Sequence, residues 1–257
     1  MSQAVAATKS GALMSLDAGL WNEIVTTISS LIEEGTFIAS PNGLTLKALD
    51  PSRIAMVCLA LPLPSLKKYE CQQKTCFSVD FSEVRGVVKR GRKGEELVIR
   101  IMDGRIVHEY TTIGKRRTFR TPLIDCHQES FDPMFSFTAS FQVPTLSLSN
   151  AVADASLMDR YACLSVDEGS VKLTASGERG EVEIDLTPDV LVCEVSMPAK
   201  ANYNMSYIKK FLSSPSLSAV AKVSLSSKSP LEIALNLDGG GSLKFYLAPW
   251  EEMDGDV

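Results

Sequence analysis

The sequence predicts an α+β protein made of two similar halves, each laying helices against antiparallel sheets. Three observations carry that expectation: a weak internal repeat of about 125 residues, helix candidates with a single apolar stripe, and strand-like runs that outnumber them. The chain has 257 residues, 45% hydrophobic and 22% charged, enough for two cores of ordinary size.

Asp17 is placed to cap a first helix, where Leu20, Ile24, Ile28 and Leu31 recur as one buried stripe. TFIASPNGLTL (36–46) then reads as strand, turn at Pro41-Asn42-Gly43, strand. A second helix is predicted within FSVDFSEVRGVVKRG (77–91), capped by Asp80 and with Val84, Val87 and Val88 inward, followed by the strands ELVIRI and RIVHEYTTI. The second half repeats this order. Leu148, Val152 and Ala155 mark a helix after Pro144, YACLSVDEGSVKL (161–173) a hairpin turning at Asp167 to Gly169, and ANYNMSYIKKFLSSP (201–215) a helix capped by Asn204 and ended by Pro215. VAKVSL, LEIALNL and SLKFYLA complete it as strands. Ser40 and Ser165 lie 125 positions apart, and at an offset of 124 Asp80 aligns with Asn204 and Val84 with Ile208. Between the halves, residues 118–135 carry Pro122 and Pro133 with little periodicity, as a connector does.

Several function classes lose support. No apolar run approaches the roughly 20 residues of a membrane helix, and the first residues lack a secretion signal, so a soluble chain is expected. Six cysteines without a CxxC pair read as buried free thiols, and two histidines, His108 and His127, are too few for a zinc site. Gly91-Arg92-Lys93-Gly94 is not a phosphate loop, and Gly239-Gly240-Gly241-Ser242 fails the nucleophile-elbow pattern and reads as a hairpin turn. An enzyme is therefore not expected, and neither a cofactor nor a metal is.

The cations are more informative. Arg85, Lys89 and Arg92 fall at i, i+4 and i+7, with Arg90 and Lys93 beside them, and the matching helix carries Lys209 and Lys210. One such helix alone would be an ordinary solvated face. Positive charge at equivalent places in a chain of net charge −5 suggests a phosphate-facing surface.

The repeat, LDPSRIAMV (49–57), TASGERG (174–180), PLID (122–125) and above all FYLAP (245–249) resemble the sliding clamp of DNA replication, the proliferating cell nuclear antigen family. The resemblance covers residues 12–252, and PLID is closer to the archaeal branch. It implies clamp domains at 12–117 and 136–252, a connector at 118–135, a flexible extension at 1–11 and an acidic tail at 253–257. It also implies a three-subunit ring around double-stranded DNA, helices inward, that tethers DNA polymerase, clamp loader, ligase and flap endonuclease as a processivity factor. An archaeal clamp would be cytoplasmic and nucleoid-associated, a eukaryotic one nuclear. One departure bears on assembly: the first helices carry Glu23, Glu33, Glu34 and Asp154 and no Lys or Arg between 18 and 34 or between 143 and 158. A homotrimer and a heterotrimer with paralogous clamp subunits both stay open, as does a checkpoint-type clamp subunit. A small hydrolase is the remaining rival from another class.

The resemblance also implies site residues. Subunits of the family join by edge strands, here 109–119 with Thr111, Ile113, Lys115, Arg116 and Arg117, and 177–186 with Glu181, Val182, Glu183 and Ile184. Client peptides would dock on Leu49, Arg53 and Ile54, on Phe131 of the connector, and on Pro230, Tyr246, Leu247, Ala248 and Pro249. Trp250, polar in most of the family, is expected to widen that apolar rim.

Overall fold

The computed structural model describes residues 11–126 and 134–251. They form two compact units that are not simply sequential: residues 48–58 cluster with the second half and Asp238–Gly241 with the first. Among the described residues, no helix is long and apolar enough to cross a membrane.

The first unit holds β1 (Ala12–Asp17), α1 (Ala18–Ser29), β2 (Glu34–Ser40), most of β3 (Gly43–Leu49), part of β4 (Ala55–Pro62), β5 (Lys68–Glu70), β6 (Thr75–Asp80), α2 (Phe81–Val88), β7 (Glu96–Met102), β8 (Arg105–Thr112) and β9 (Lys115–Pro122). The second holds β10 (Ala139–Pro144), α3 (Thr145–Met158), β11 (Tyr161–Asp167), β12 (Ser170–Gly177), β13 (Gly180–Asp185), β14 (Val192–Val195), β15 (Ala199–Asn204), α4 (Met205–Phe211), β16 (Val220–Leu225), β17 (Leu231–Leu237) and nearly all of β18 (Gly241–Leu247). The pairing is duplicated. β1 lies between β5 and β7 as β10 lies between β14 and β16, and β2 lies between β3 and β6 as β11 lies between β12 and β15. Within each unit the two α-helices contact one another, α1 with α2 and α3 with α4.

Capping explains where α1, α2 and α4 start, while α3 follows Pro144 without a side-chain cap. The Asp17 carboxylate accepts from the Leu20 N–H at 3.0 Å, Asp80 from Ser82 at 2.7 Å, and Asn204 from Ser206 at 3.0 Å. Hydrogen bonds from Ser82 hold Asp80 below the ordinary carboxylate range. Asp80→Ala and Asn204→Ala should each lower stability by about 1 kcal/mol in urea titrations, and Asp80→Asn by much less. Equal losses for Ala and Asn at position 80 would remove the cap from the account.

Gly43 and Gly19 are among the glycines fixed by close approach. Gly43 closes the β2–β3 turn at φ 132°, where a Cβ would sit 2.2 Å from the Leu61 carbonyl oxygen; a Cβ on Gly19 would lie 2.8 Å from Lys93 Cα.

Four expectations need correction. The buried stripe of α1 is Trp21, Ile24, Val25 and Ile28, while Leu20 is only partly covered, because Trp21 packs at a tilt against Phe37, ring centres 5.8 Å apart, and takes the inward position. Glu33 and Glu34 lie beyond α1, so Glu23 is the acid on that helix. Residues 118–122 of the expected connector belong to β9, where they pair with β8. Cys76 and Cys126 are exposed and joined in a disulfide, and of the remaining thiols Cys71 and Cys163 are half-buried and Cys193 exposed. The chain after β9 runs back across β6, where the Ile124 N–H donates to the Ser78 carbonyl at 3.1 Å, and this brings together two cysteines 50 residues apart.

The core of the first unit encloses a polar pair. His108 is fully buried, and its Nε2 accepts from Trp21 Nε1–H at 3.3 Å while Nδ1 has no partner. Burial pushes the imidazole pKa down to about 4, so it is neutral in the folded state.

Candidate docking surface and nucleic-acid interface

α2 is shorter than its sequence pattern. Arg85 lies on the helix and Lys89 caps its C-terminus, but Arg90, Arg92 and Lys93 follow in the turn into β7, which is pinned by the Gly91 N–H to the Val88 carbonyl and the Arg92 N–H to Glu95. The expected continuous stripe is therefore a helix end plus a turn, and Val87 is only partly covered. All five cations are nonetheless exposed. Lys209 and Lys210 are exposed in the last turn of α4, where the helix dipole favours them, and Lys210 Nζ lies 5.3 Å from the centre of the Tyr207 ring.

The segment 49–55 lies in the second unit and is organised by Asp50. This carboxylate is buried, and its oxygens accept the backbone N–H groups of Ser52, Ile54 and Ala55 at 3.1, 2.9 and 2.7 Å. Arg53 takes φ 59° inside this turn, and Ile54 stands out exposed. The Ile54 carbonyl accepts the Ala248 N–H at 2.8 Å, which sets the end of β18 beside the turn.

On β18, Leu243, Phe245 and Leu247 are fully buried and Lys244 and Tyr246 turn outward. Leu247 is therefore core and not a docking wall. Tyr246 donates its hydroxyl to Glu232 at 2.6 Å and lies 5.4 Å from the ring of Phe135, a residue the sequence did not single out. Phe131 lies outside the described residues. Leu49, Ala48, Ala248, Pro249 and Pro230 are half-buried. Trp250 does not widen the expected apolar rim. Its ring stacks on Tyr161 at 4.4 Å and its backbone N–H donates to the Asn202 carbonyl at 2.8 Å, so it closes over β11 and β15.

Among the terminal strands of the described sheets, two bear on the expected subunit edges. β9 ends the strand order β5-β1-β7-β8-β9, and β13 ends the order β13-β12-β11-β15. β13 matches its expected edge, with Glu181 and Glu183 exposed and Val182 and Ile184 half-buried. The other expected edge is shifted: Thr111 is on β8, paired with Arg116, and Ile113 is in the exposed turn between β8 and β9. Arg116 and Arg117 are already engaged, with the buried Glu109 and Glu95 respectively, and Arg117 also covers the Tyr110 ring at 5.2 Å. Burial opposes ionisation of Glu109, but hydrogen bonds and charge from Arg116 and Arg100 outweigh it and hold the carboxyl below the usual range.

The duplicated topology invites comparison with known proteins. The family model of the N-terminal domain of proliferating cell nuclear antigen matches residues 14–116, and that of the C-terminal domain matches residues 133–250. The chain belongs to the proliferating cell nuclear antigen family. A DNA polymerase sliding clamp from Thermofilum pendens is 32% identical over 238 residues, covering 91% of this chain and 96% of that one. DNA polymerase sliding clamp 3 of Aeropyrum pernix is also 32% identical over 238 residues, covering 91% and 95%. The structure of proliferating cell nuclear antigen from Thermococcus kodakaraensis matches with a TM-score of 0.88 at 24% identity, over 93% of this chain and 100% of that one. The Entamoeba histolytica structure matches with a TM-score of 0.89 at 21% identity, over 94% and 100%. At these identities the solved structures speak for the clamp fold.

Proposed function

We propose that the protein is a DNA sliding clamp, a three-subunit ring that encircles duplex DNA and tethers replicative polymerase as a processivity factor. The observation that carries this reading is that each second helix of the duplicated fold ends in exposed cations, in a chain of net charge −5. A ring holds DNA by topology, so weak, water-screened phosphate contacts from residues 85–93 and from Lys209 and Lys210 suffice, and sequence reading would only hinder sliding. The family resemblance and the relatives named sliding clamps support the same reading. Loader, ligase and flap endonuclease would dock at Leu49, Ile54, Tyr246 and their neighbours, and in an archaeal cell the protein would be cytoplasmic and nucleoid-associated. No step of this function asks the protein for catalysis.

A homotrimer is the first form of the assembly. A heterotrimer with more basic paralogues is favoured by one observation: α1 carries Glu23 and α3 carries Asp154, with no Lys or Arg on either helix. The test is twofold. Light scattering should give about 84 kDa, three times 27.9 kDa, and protein loaded by a clamp loader should stay on nicked circles and run off linear DNA. Equal retention on both DNAs would overturn the topological reading, and a lone monomer that assembles with paralogues would select the heterotrimer.

A further inference from the structure

Asp50 accepts a fourth hydrogen bond, and it does not come from its own turn. The Tyr207 hydroxyl on α4 donates to Oδ2 at 2.9 Å across a separation of 157 residues. Three backbone N–H groups and one phenol thus satisfy a carboxylate that is only 3% exposed. The turn it organises is one the chain would not hold by itself, because Arg53 sits in the left-handed region and Ile54 is exposed. Tyr207 is itself well placed: its ring lies 6.5 Å from Phe211, which stacks on Phe245 of β18 at 4.6 Å, and Lys210 lies over its face. Burial first, and then the bond to Asp50, raise the phenol pKa, so the hydroxyl remains a donor at neutral pH.

We propose that Tyr207 is a positioning residue for client docking: its hydroxyl completes the hydrogen bonds of Asp50 and so holds residues 49–55 in the conformation that presents Ile54 beside Ala248. The inference rests on the reading of Leu49, Ile54 and Tyr246 as the docking surface. Without the hydroxyl, a buried carboxylate oxygen is one donor short, and the carboxylate regains solvation by turning away from the backbone groups it aligns. The helix that bears Lys209 and Lys210 then no longer holds the docking turn.

The test uses the full-length protein and a fluorescein-labelled peptide carrying one aliphatic and two aromatic anchors, followed by anisotropy. Tyr207→Phe keeps the ring and its stacking and should weaken binding about tenfold. Its light-scattering mass should be unchanged, and amide exchange should accelerate at Ile54 and Ala55 but not in α3. Adding Tyr207→Phe to Asp50→Asn should weaken binding no further, because Asp50→Asn already removes the carboxylate through which the Tyr207 hydroxyl acts on the turn. Tyr246→Ala is measured in parallel and should abolish binding. Wild-type affinity in Tyr207→Phe alongside loss in Tyr246→Ala would overturn this inference and leave the docking surface standing. Additive losses in the double variant would also overturn it. Wild-type affinity in Tyr246→Ala would overturn the docking surface itself.

Discussion

Reversing charge at Glu181 and Glu183 together, each to Lys, is expected to take the assembly from about 84 kDa to about 28 kDa in light scattering, the mass of one 27.9 kDa chain. The resemblance to clamps implies a subunit contact at two sheet edges, as proposed above, and β13 is one open edge, with Glu181, Glu183 and Asp185 exposed along it. The other, β9, exposes Lys115, Arg116 and Arg120. Strands paired edge to edge set such side chains about 5 Å apart, where like charges oppose pairing. The strand chosen matters. Changing Arg116 and Arg117 would take from the buried Glu109 one of its two guanidinium partners, leaving Arg100, and from the buried Glu95 its guanidinium partner, so dissociation could not be told from unfolding. On β13 the loss inside the chain is the exposed Lys172–Glu183 pair, which solvent screens and which contributes little to stability. The circular-dichroism melt should therefore match that of the wild type at equal subunit dissociation. A reversed-charge protein that stays at the wild-type mass would remove β13 from the interface.

Acid should loosen the first unit before the carboxylates titrate. His108 has a folded pKa of about 4 against an ordinary value of 6.5, so between those values the unfolded chain binds a proton that the folded chain does not. The stability this burial allows is complete above pH 6.5 and is lost as pH falls toward 4, by about 3 kcal/mol in all. His108→Gln cannot titrate and keeps an acceptor for Trp21 Nε1–H. Its stability should be nearly flat over that window, in urea titrations followed by Trp21 fluorescence in a Trp250→Phe background. Glu109, held below the usual carboxylate range, titrates lower and affects both proteins alike. The same pH slope in both proteins would show that His108 does not set it.

The elements that could be read from sequence are those governed by neighbours along the chain. Asp17, Asp80 and Asn204 cap helices through N–H groups two or three residues on, and Gly43 and Gly169 close turns with positive φ that favours glycine. The duplication follows from such signals recurring about 125 residues apart. At the docking surface, FYLAP and LDPSRI were legible as motifs, but the division of FYLAP into buried Phe245 and Leu247 and outward Tyr246 needed the register of β18. Phe135 went unnoticed because nothing local marks it; its partner Tyr246 is 111 residues away.

By itself, then, the sequence determined the two-part α+β plan, the four helix starts, the hairpins and the membership suggested by FYLAP, because turn chemistry and capping act over a few residues. Tertiary structure alone decided which strands are edges, where Arg116 and Arg117 are neutralised, that Cys76 meets Cys126, that Trp250 closes on Tyr161, and that Asp50 is held by Tyr207. Those outcomes depend on side chains brought together by strand pairing and packing across up to 157 residues, which no local periodicity encodes.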